Sequence, residues 1–147
     1  DIADITLVGD ARLIASLCEE HGINQDIVTI VDVPDVLEAG IRARDMVRDG
    51  EAEVLMKGLI STGDYMKTIL DKDLGLMPAG GVLSHVTVLE LPAFVKRHGK
   101  LLFVGDVAII PKPNLDLKKQ ILRFCIDAAH SFGIDKPKAA LIAATEK

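Results

Sequence analysis

The chain has 147 residues, 49% of them hydrophobic, 27% charged and 3% aromatic, with 22 acidic against 17 basic side chains for a net charge of −5. That length suits one globular domain or the beginning of two, and it buries roughly two-thirds of the unfolded surface without help from disulfides. An acidic chain with one Tyr and no Trp lacks the basic field and stacking aromatics of a nucleic-acid binder. Its apolar content excludes a disordered chain, and no apolar run approaches the roughly 20 residues that span a bilayer.

The two cysteines, Cys18 and Cys125, lie in apolar, helix-like surroundings and read as reduced core thiols rather than a disulfide framework. No signal-peptide pattern opens the sequence, and its first residue is not Met. The expectation is a soluble cytoplasmic protein whose numbering starts inside a longer polypeptide.

Apolar runs alternate with amphipathic segments along the chain. Residues 5–8 predict a buried strand ended by Gly9-Asp10. Residues 11–20 predict a helix with Leu13, Ile14 and Leu17 on one face, closed by His21-Gly22. Residues 26–33 predict a Val- and Ile-rich strand. Pro34-Asp35 opens a second helix, with Glu38, Arg42, Asp45 and Asp49 on its polar stripe and Gly50 at its end. Residues 54–56 predict a third strand leading into Lys57-Gly58. Residues 61–72 predict a third helix with Tyr65, Met66, Ile69 and Leu70 turned inward.

The Gly- and Pro-rich stretch 73–82 has no periodicity and predicts a lobe boundary. Residues 83–91 and 100–104 predict strands. The connection 92–99 shows no helix-length pattern, so these two strands could pair antiparallel as a long hairpin. Residues 114–132 predict the clearest helix, with Leu117, Ile121, Phe124, Ala128 and Phe132 on one face. Residues 138–144 predict a last strand. The order predicts an α/β fold, a parallel sheet with helices on both faces, and a sequence unfinished at its C-terminus.

Ligands of open parallel sheets bind beyond the carboxyl ends of strands, and three strand ends here suit an anion. In the stretch 57–67, Lys57 and Gly58 end a strand and Ser61 with Asp64 matches the S-x-x-D capping pattern. The helix beginning there offers free N–H groups and a positive dipole end. Thr62 adds a hydroxyl, Lys67 a charge, and Gly63 allows close approach to the backbone. The same residues equally describe a capped helix with a surface Lys. At the second end, Ser84-His85, the imidazole could donate to a developing negative charge or be satisfied by backbone. At the third, Gly105-Asp106, the carboxylate could orient a ligand or cap the next turn. Asp10 and Asp32 also lie near strand ends and fit turns. Walker, dinucleotide and nucleophile-elbow motifs are absent, and so is metal-ligand spacing among the four histidines. A receiver-type signalling domain needs an acidic pair after the first strand and an Asp after the third. Gly9-Asp10 and Lys57 stand there instead.

Five runs occur in order: 31–35 (VDVPD), 55–62 (LMKGLIST), 83–88 (LSHVTV), 105–108 (GDVA) with Pro113 and Lys118, and 133–138 (GIDKPK). Together they resemble the phosphate acetyl/butyryltransferase family, its butyryltransferase branch most, over nearly the whole chain. The resemblance implies transfer of an acyl group between coenzyme A and phosphate. It implies a two-lobed α/β fold akin to the isocitrate/isopropylmalate dehydrogenases, with the site in the interlobe cleft of a homodimer or larger oligomer. On it, residues 1–80 belong to the first lobe and 81–147 to the second, truncated, so that the chain is about half of a family member. Coenzyme A is then a substrate, with no tightly bound cofactor, no metal, and no nucleic-acid or membrane partner.

The resemblance assigns Lys57, Gly58, Ser61, Thr62, Lys67 and Ser84 to substrate and coenzyme A phosphates, and His85 and Asp106 to catalysis. Lys67 stands where Arg is usual, which keeps the charge and loses the bidentate fork. Around Asp106 the family pattern reads Thr-Asp-Ala-Ala with an Asn four residues after the Asp. Here Gly105, Val107 and Ile110 replace the Thr, the first Ala and the Asn. The changes at Gly105 and Ile110 motivate an alternative, a non-catalytic relative that binds acyl-CoA or a phosphorylated ligand.

Overall fold

A computed structural model of the chain describes residues 3–142. It divides into two compact units, with the division between Ala79 and Gly80. Each unit mixes helices with a two-stranded sheet, parallel in the first and antiparallel in the second.

In the first unit, β1 (Ile5–Gly9) leads through Asp10 into α1 (Ala11–His21). Asp10 begins the helix because its carboxylate accepts the N–H groups of Arg12 and Leu13, which the first turn leaves without partners. Gly22 ends it in the left-handed conformation, φ 64°. A short turn at Gln25–Ile27 precedes β2 (Val28–Asp32), which pairs parallel with β1 from Ile5 opposite Val28 to Gly9 opposite Asp32. Asp35 caps α2 (Val36–Arg48) through the N–H groups of Leu37 and Glu38. This helix packs on β1 and on α3 (Thr62–Ile69). Cys18, Ala39, Met46 and Ile60 are the buried apolar residues, joined by Arg44 and Thr68.

The second unit holds β3 (Val86–Leu89), α4 (Pro92–His98), β4 (Leu102–Gly105) and α5 (Leu115–Ser131). The strands pair antiparallel with Val86 opposite Gly105 and Leu89 opposite Leu102. Asn114 caps α5 through the N–H of Leu117, and α5 packs on both strands with Ile121 and Ala129 buried.

Four expectations change. Residues 54–56 form no strand, because their backbone finds no ladder partner among the described residues; Val54 and Met56 are 76% and 86% exposed. The third helix stops at Ile69 rather than 72, since Asp71 turns the chain by accepting the N–H groups of Asp73 and Leu74. The connection 92–99 holds helix α4, too short for a periodicity argument but marked by Pro92 at its start and Gly99 at φ 66° after its end. The expected last strand is absent over 138–142, and its remainder lies outside the described residues. Among the described residues, therefore, the parallel sheet is the single pair β1–β2 rather than a larger sheet covered on both faces.

Candidate functional site

The first cluster is built on the loop that enters α3. Ile60 anchors that loop: it is 9% exposed, and its Cδ1 lies 2.5 Å from where a Cβ on Gly40 would stand. The absent side chain at Gly40 thus opens the notch on α2 that seats the loop. Lys57 sits in the loop rather than at a strand end. Its Nζ donates to the carbonyl oxygens of Gly58 and Ile60 at 3.2 and 2.9 Å, folding the segment onto itself.

Ser61 caps α3 as its spacing predicts, accepting the Asp64 N–H at 3.1 Å while its hydroxyl donates to Asp64 Oδ2 at 2.8 Å. Lys67 Nζ donates to Asp64 Oδ1 at 3.0 Å. The Ser61 bond, then the Lys67 bond and charge, hold the Asp64 carboxyl below the usual range. The Lys67 side chain remains 79% exposed. The backbone N–H groups of Thr62 and Gly63 and the Thr62 hydroxyl make no hydrogen bond to any described residue. A Cβ at Gly58 would meet open space. This is a helix start with free donors and an exposed cation on the same helix, the composition of an anion site. Reading the sequence for caps found Ser61 and Asp64. It missed that Asp64 also holds Lys67, although the three-residue spacing on one helix face carried that signal.

The second cluster follows from the β3–β4 register. With Val86 opposite Gly105, the residues before β3 and after β4 emerge at one end of the pair. Asp106 Oδ2 accepts from the Ser84 hydroxyl at 2.8 Å and the His85 N–H at 2.9 Å. Its Oδ1 accepts the N–H groups of Ala108, Ile109 and Ile110 at 2.8, 2.7 and 3.2 Å. Burial pushes this carboxyl upward, but the N–H bonds from Ile109, His85 and Ala108 and the Ser84 hydroxyl outweigh it and hold the group far below the usual carboxylate range. Asp106 therefore stays ionised, with both oxygens occupied by the chain's own donors. The His85 side chain makes no hydrogen bond to a described residue, and the residue is exposed.

Gly105 lies against α5. A Cβ there would stand 2.7 Å from Cys125 Sγ and 3.1 Å from the His85 carbonyl oxygen. Both cysteines are free, Cys18 buried and Cys125 half-buried. Burial and the Asp106 charge raise the Cys125 thiol, which suits a packing role rather than a thiolate nucleophile. At the carboxyl ends of β1 and β2, Asp10, Arg12, Asp32 and Pro34 line a hollow of about 190 Å³. There Asp32 accepts the Ala11 N–H at 3.0 Å, so both aspartates serve the turn into α1. No group of three or more His, Cys, Asp or Glu side chains is gathered for a metal among the described residues. No helix among them is long and apolar enough to cross a membrane.

A family model described as phosphate acetyl/butaryl transferase matches residues 36–147. A phosphate butyryltransferase of Clostridium acetobutylicum is 38% identical over 145 residues, which cover 99% of this chain and 46% of that protein. The phosphate butyryltransferase of Clostridium beijerinckii is 32% identical over 99% of the chain and 47% of its own length. The phosphate acetyltransferase of Thermotoga maritima is 33% identical over 99% of the chain and 47% of its own length. The chain spans about half the length of the curated relatives it matches.

Proposed function

The chain belongs to the phosphate acetyl/butaryl transferase family, and on that premise we propose that the protein carrying it moves a short-chain acyl group, butyryl or acetyl, between coenzyme A and phosphate. The observation that carries this reading is similarity maintained over 99% of the chain to a phosphate butyryltransferase. In the reaction, the coenzyme A thiolate attacks the carbonyl carbon of an acyl phosphate. A C–S bond forms, the C–O bond to phosphate breaks, and phosphate leaves with the bonding electrons. No acyl group on the protein is needed. Catalysis then consists of holding the phosphate, stabilising the oxyanion and aligning the thiolate.

The first cluster supplies the phosphate donors. The Thr62 hydroxyl, the N–H groups of Thr62 and Gly63 and the Lys67 hydrogens not given to Asp64 are the groups left to donate. Ser61 keeps that helix start ordered, Lys57 braces the loop, and Gly58 leaves space beside it. Taken by itself, the second cluster offers the exposed His85 imidazole as a donor, with Asp106 as the residue that positions His85 through its backbone N–H. On the same family reading the complete protein has the two-lobed fold of the isocitrate/isopropylmalate dehydrogenases. It works in the cytoplasm as a homo-oligomer and takes coenzyme A as a substrate rather than a resident cofactor.

The test is phosphate-dependent release of free thiol from butyryl-CoA and acetyl-CoA, with acyl phosphate trapped by hydroxylamine. Absence of phosphate-dependent release would overturn the reading. One observation favours a second reading. Gly105 is packed so tightly against Cys125 that the hydroxyl residue of the family pattern has no room there. A non-catalytic relative would bind acyl-CoA in calorimetry and release no thiol.

A further inference from the structure

The Ser84–Asp106 hydrogen bond fixes what Ser84 can offer a ligand. A serine hydroxyl has one hydrogen and two lone pairs, and an ionised carboxylate has no hydrogen to give. In the 2.8 Å contact between Ser84 Oγ and Asp106 Oδ2, the serine must therefore be the donor. We propose that Ser84 presents only lone pairs outward, so that this end of the β3–β4 pair receives a hydrogen-bond donor of coenzyme A, an amide N–H or the thiol S–H, and turns away phosphate oxygens. The inference rests on the acyltransferase reading above and reassigns Ser84 from phosphate to the donor side of the other substrate.

Three features hold the arrangement. Asp106 is itself fixed by four backbone N–H groups, His85, Ala108, Ile109 and Ile110, so it cannot follow Ser84 elsewhere. Turning the hydroxyl toward a phosphate would deprive a carboxylate oxygen of a donor. It would also bring a second anion against the Asp106 charge. A neutral donor meets neither penalty. Ser84 is half-buried, which leaves part of its surface open to such a group.

The experiment is titration calorimetry of the protein with coenzyme A, desulfo-coenzyme A and inorganic phosphate, comparing the unmutated protein with Ser84→Ala and Ser84→Thr. Ser84→Ala leaves Asp106 its four backbone donors, so the fold stands. We expect Ser84→Ala to weaken coenzyme A about fivefold, the scale of one neutral hydrogen bond, and to leave phosphate affinity unchanged; Ser84→Thr restores coenzyme A. If the donor is the thiol, the Ser84→Ala difference vanishes with desulfo-coenzyme A. If it is an amide, the difference persists. The proposal is overturned if Ser84→Ala weakens phosphate, if coenzyme A binding does not change, or if the unmutated protein binds no coenzyme A. The acyltransferase reading is judged separately, by phosphate-dependent thiol release from the unmutated protein.

Discussion

Arg44 donates its Nη1 hydrogen to the carbonyl oxygen of Thr68 across 3.3 Å, tying the middle of α2 to the end of α3. Both residues are buried, at 3% and 4% exposure. The guanidinium also meets Asp45 at 2.7 Å, and Asp45 meets Arg48 at 2.6 Å. Removing Arg44 leaves a buried carbonyl without its donor and an unfilled volume, while Asp45 keeps Arg48. We expect Arg44→Ala to lower stability by about 2–4 kcal/mol and Arg44→Met, which keeps the stem, by about half as much. Urea denaturation midpoints decide it, and an Arg44→Ala midpoint equal to that of the unmutated protein removes Arg44 from the framework.

Gly105 of β4 lies against Cys125 of α5 with no room for a side chain between them. A methyl group at Gly105 would meet the Cys125 sulfur at 2.7 Å and the His85 carbonyl oxygen at 3.1 Å. The sulfur can be shortened by mutation, and the backbone oxygen cannot. Gly105→Ala should destabilise by about 1–3 kcal/mol through overpacking. Cys125→Ala in the same chain should recover part of that loss, leaving a coupling of about 1 kcal/mol in a double-mutant cycle. Strictly additive effects would show that the two residues do not press on one another.

What the sequence made legible follows the range of the interactions involved. Caps are local, and Asp10, Asp35, Ser61 and Asn114 each start a helix within two residues of the expected place. The antiparallel pairing of β3 with β4 holds, although its premise, a connection without a helix, does not, since 92–99 contains α4. Strand 54–56 was not, because an apolar run becomes a strand only when a neighbour completes its ladder. The seven residues of α4 were missed because periodicity needs more turns than that helix has. At the site, residue types were legible and their commitments were not. Nothing in the spacing of Ser84 and Asp106, 22 residues apart, says that one hydroxyl proton belongs to that carboxylate.

Asp106 should make the second unit sensitive to acid. Its carboxyl lies well below the ordinary value in the folded state, against about 3.9 when unfolded. A depressed folded value means the ionised form carries the stabilisation. That contribution is complete above the unfolded value and is lost as pH falls through about 4 toward the folded one. Asp106→Asn removes it, since either orientation of the amide points hydrogens at N–H donors that the carboxylate now accepts. We expect the variant to be less stable at pH 7 by about 2 kcal/mol, with the gap narrowing below about pH 4. Guanidinium titrations at pH 7 and pH 3 measure both values, and a gap that stays constant with pH refutes the assignment.

Lys67 separates binding from stability. Its side chain is 79% exposed, and its one ion pair, with Asp64 at 3.0 Å, lies on the surface of α3. Exposed pairs of this kind contribute little to folding, so Lys67→Ala should unfold within about 1 °C of the unmutated protein. On the proposed acyltransferase reading, the same charge, on the helix whose first turn carries the free Thr62 and Gly63 N–H groups, binds an acyl phosphate or a coenzyme A phosphate. Its loss should raise KM for one of those substrates by about tenfold, the scale of one charged hydrogen bond. Lys67→Arg keeps the charge and should stay within about threefold of the unmutated KM. Ser61→Ala is the converse case. It removes the cap and should lower stability by about 1 kcal/mol, disturbing KM only through the disorder of the helix start. Steady-state kinetics with each substrate varied in turn, alongside thermal melts, distinguish the two residues. Unchanged kinetics in Lys67→Ala would move the phosphate away from α3.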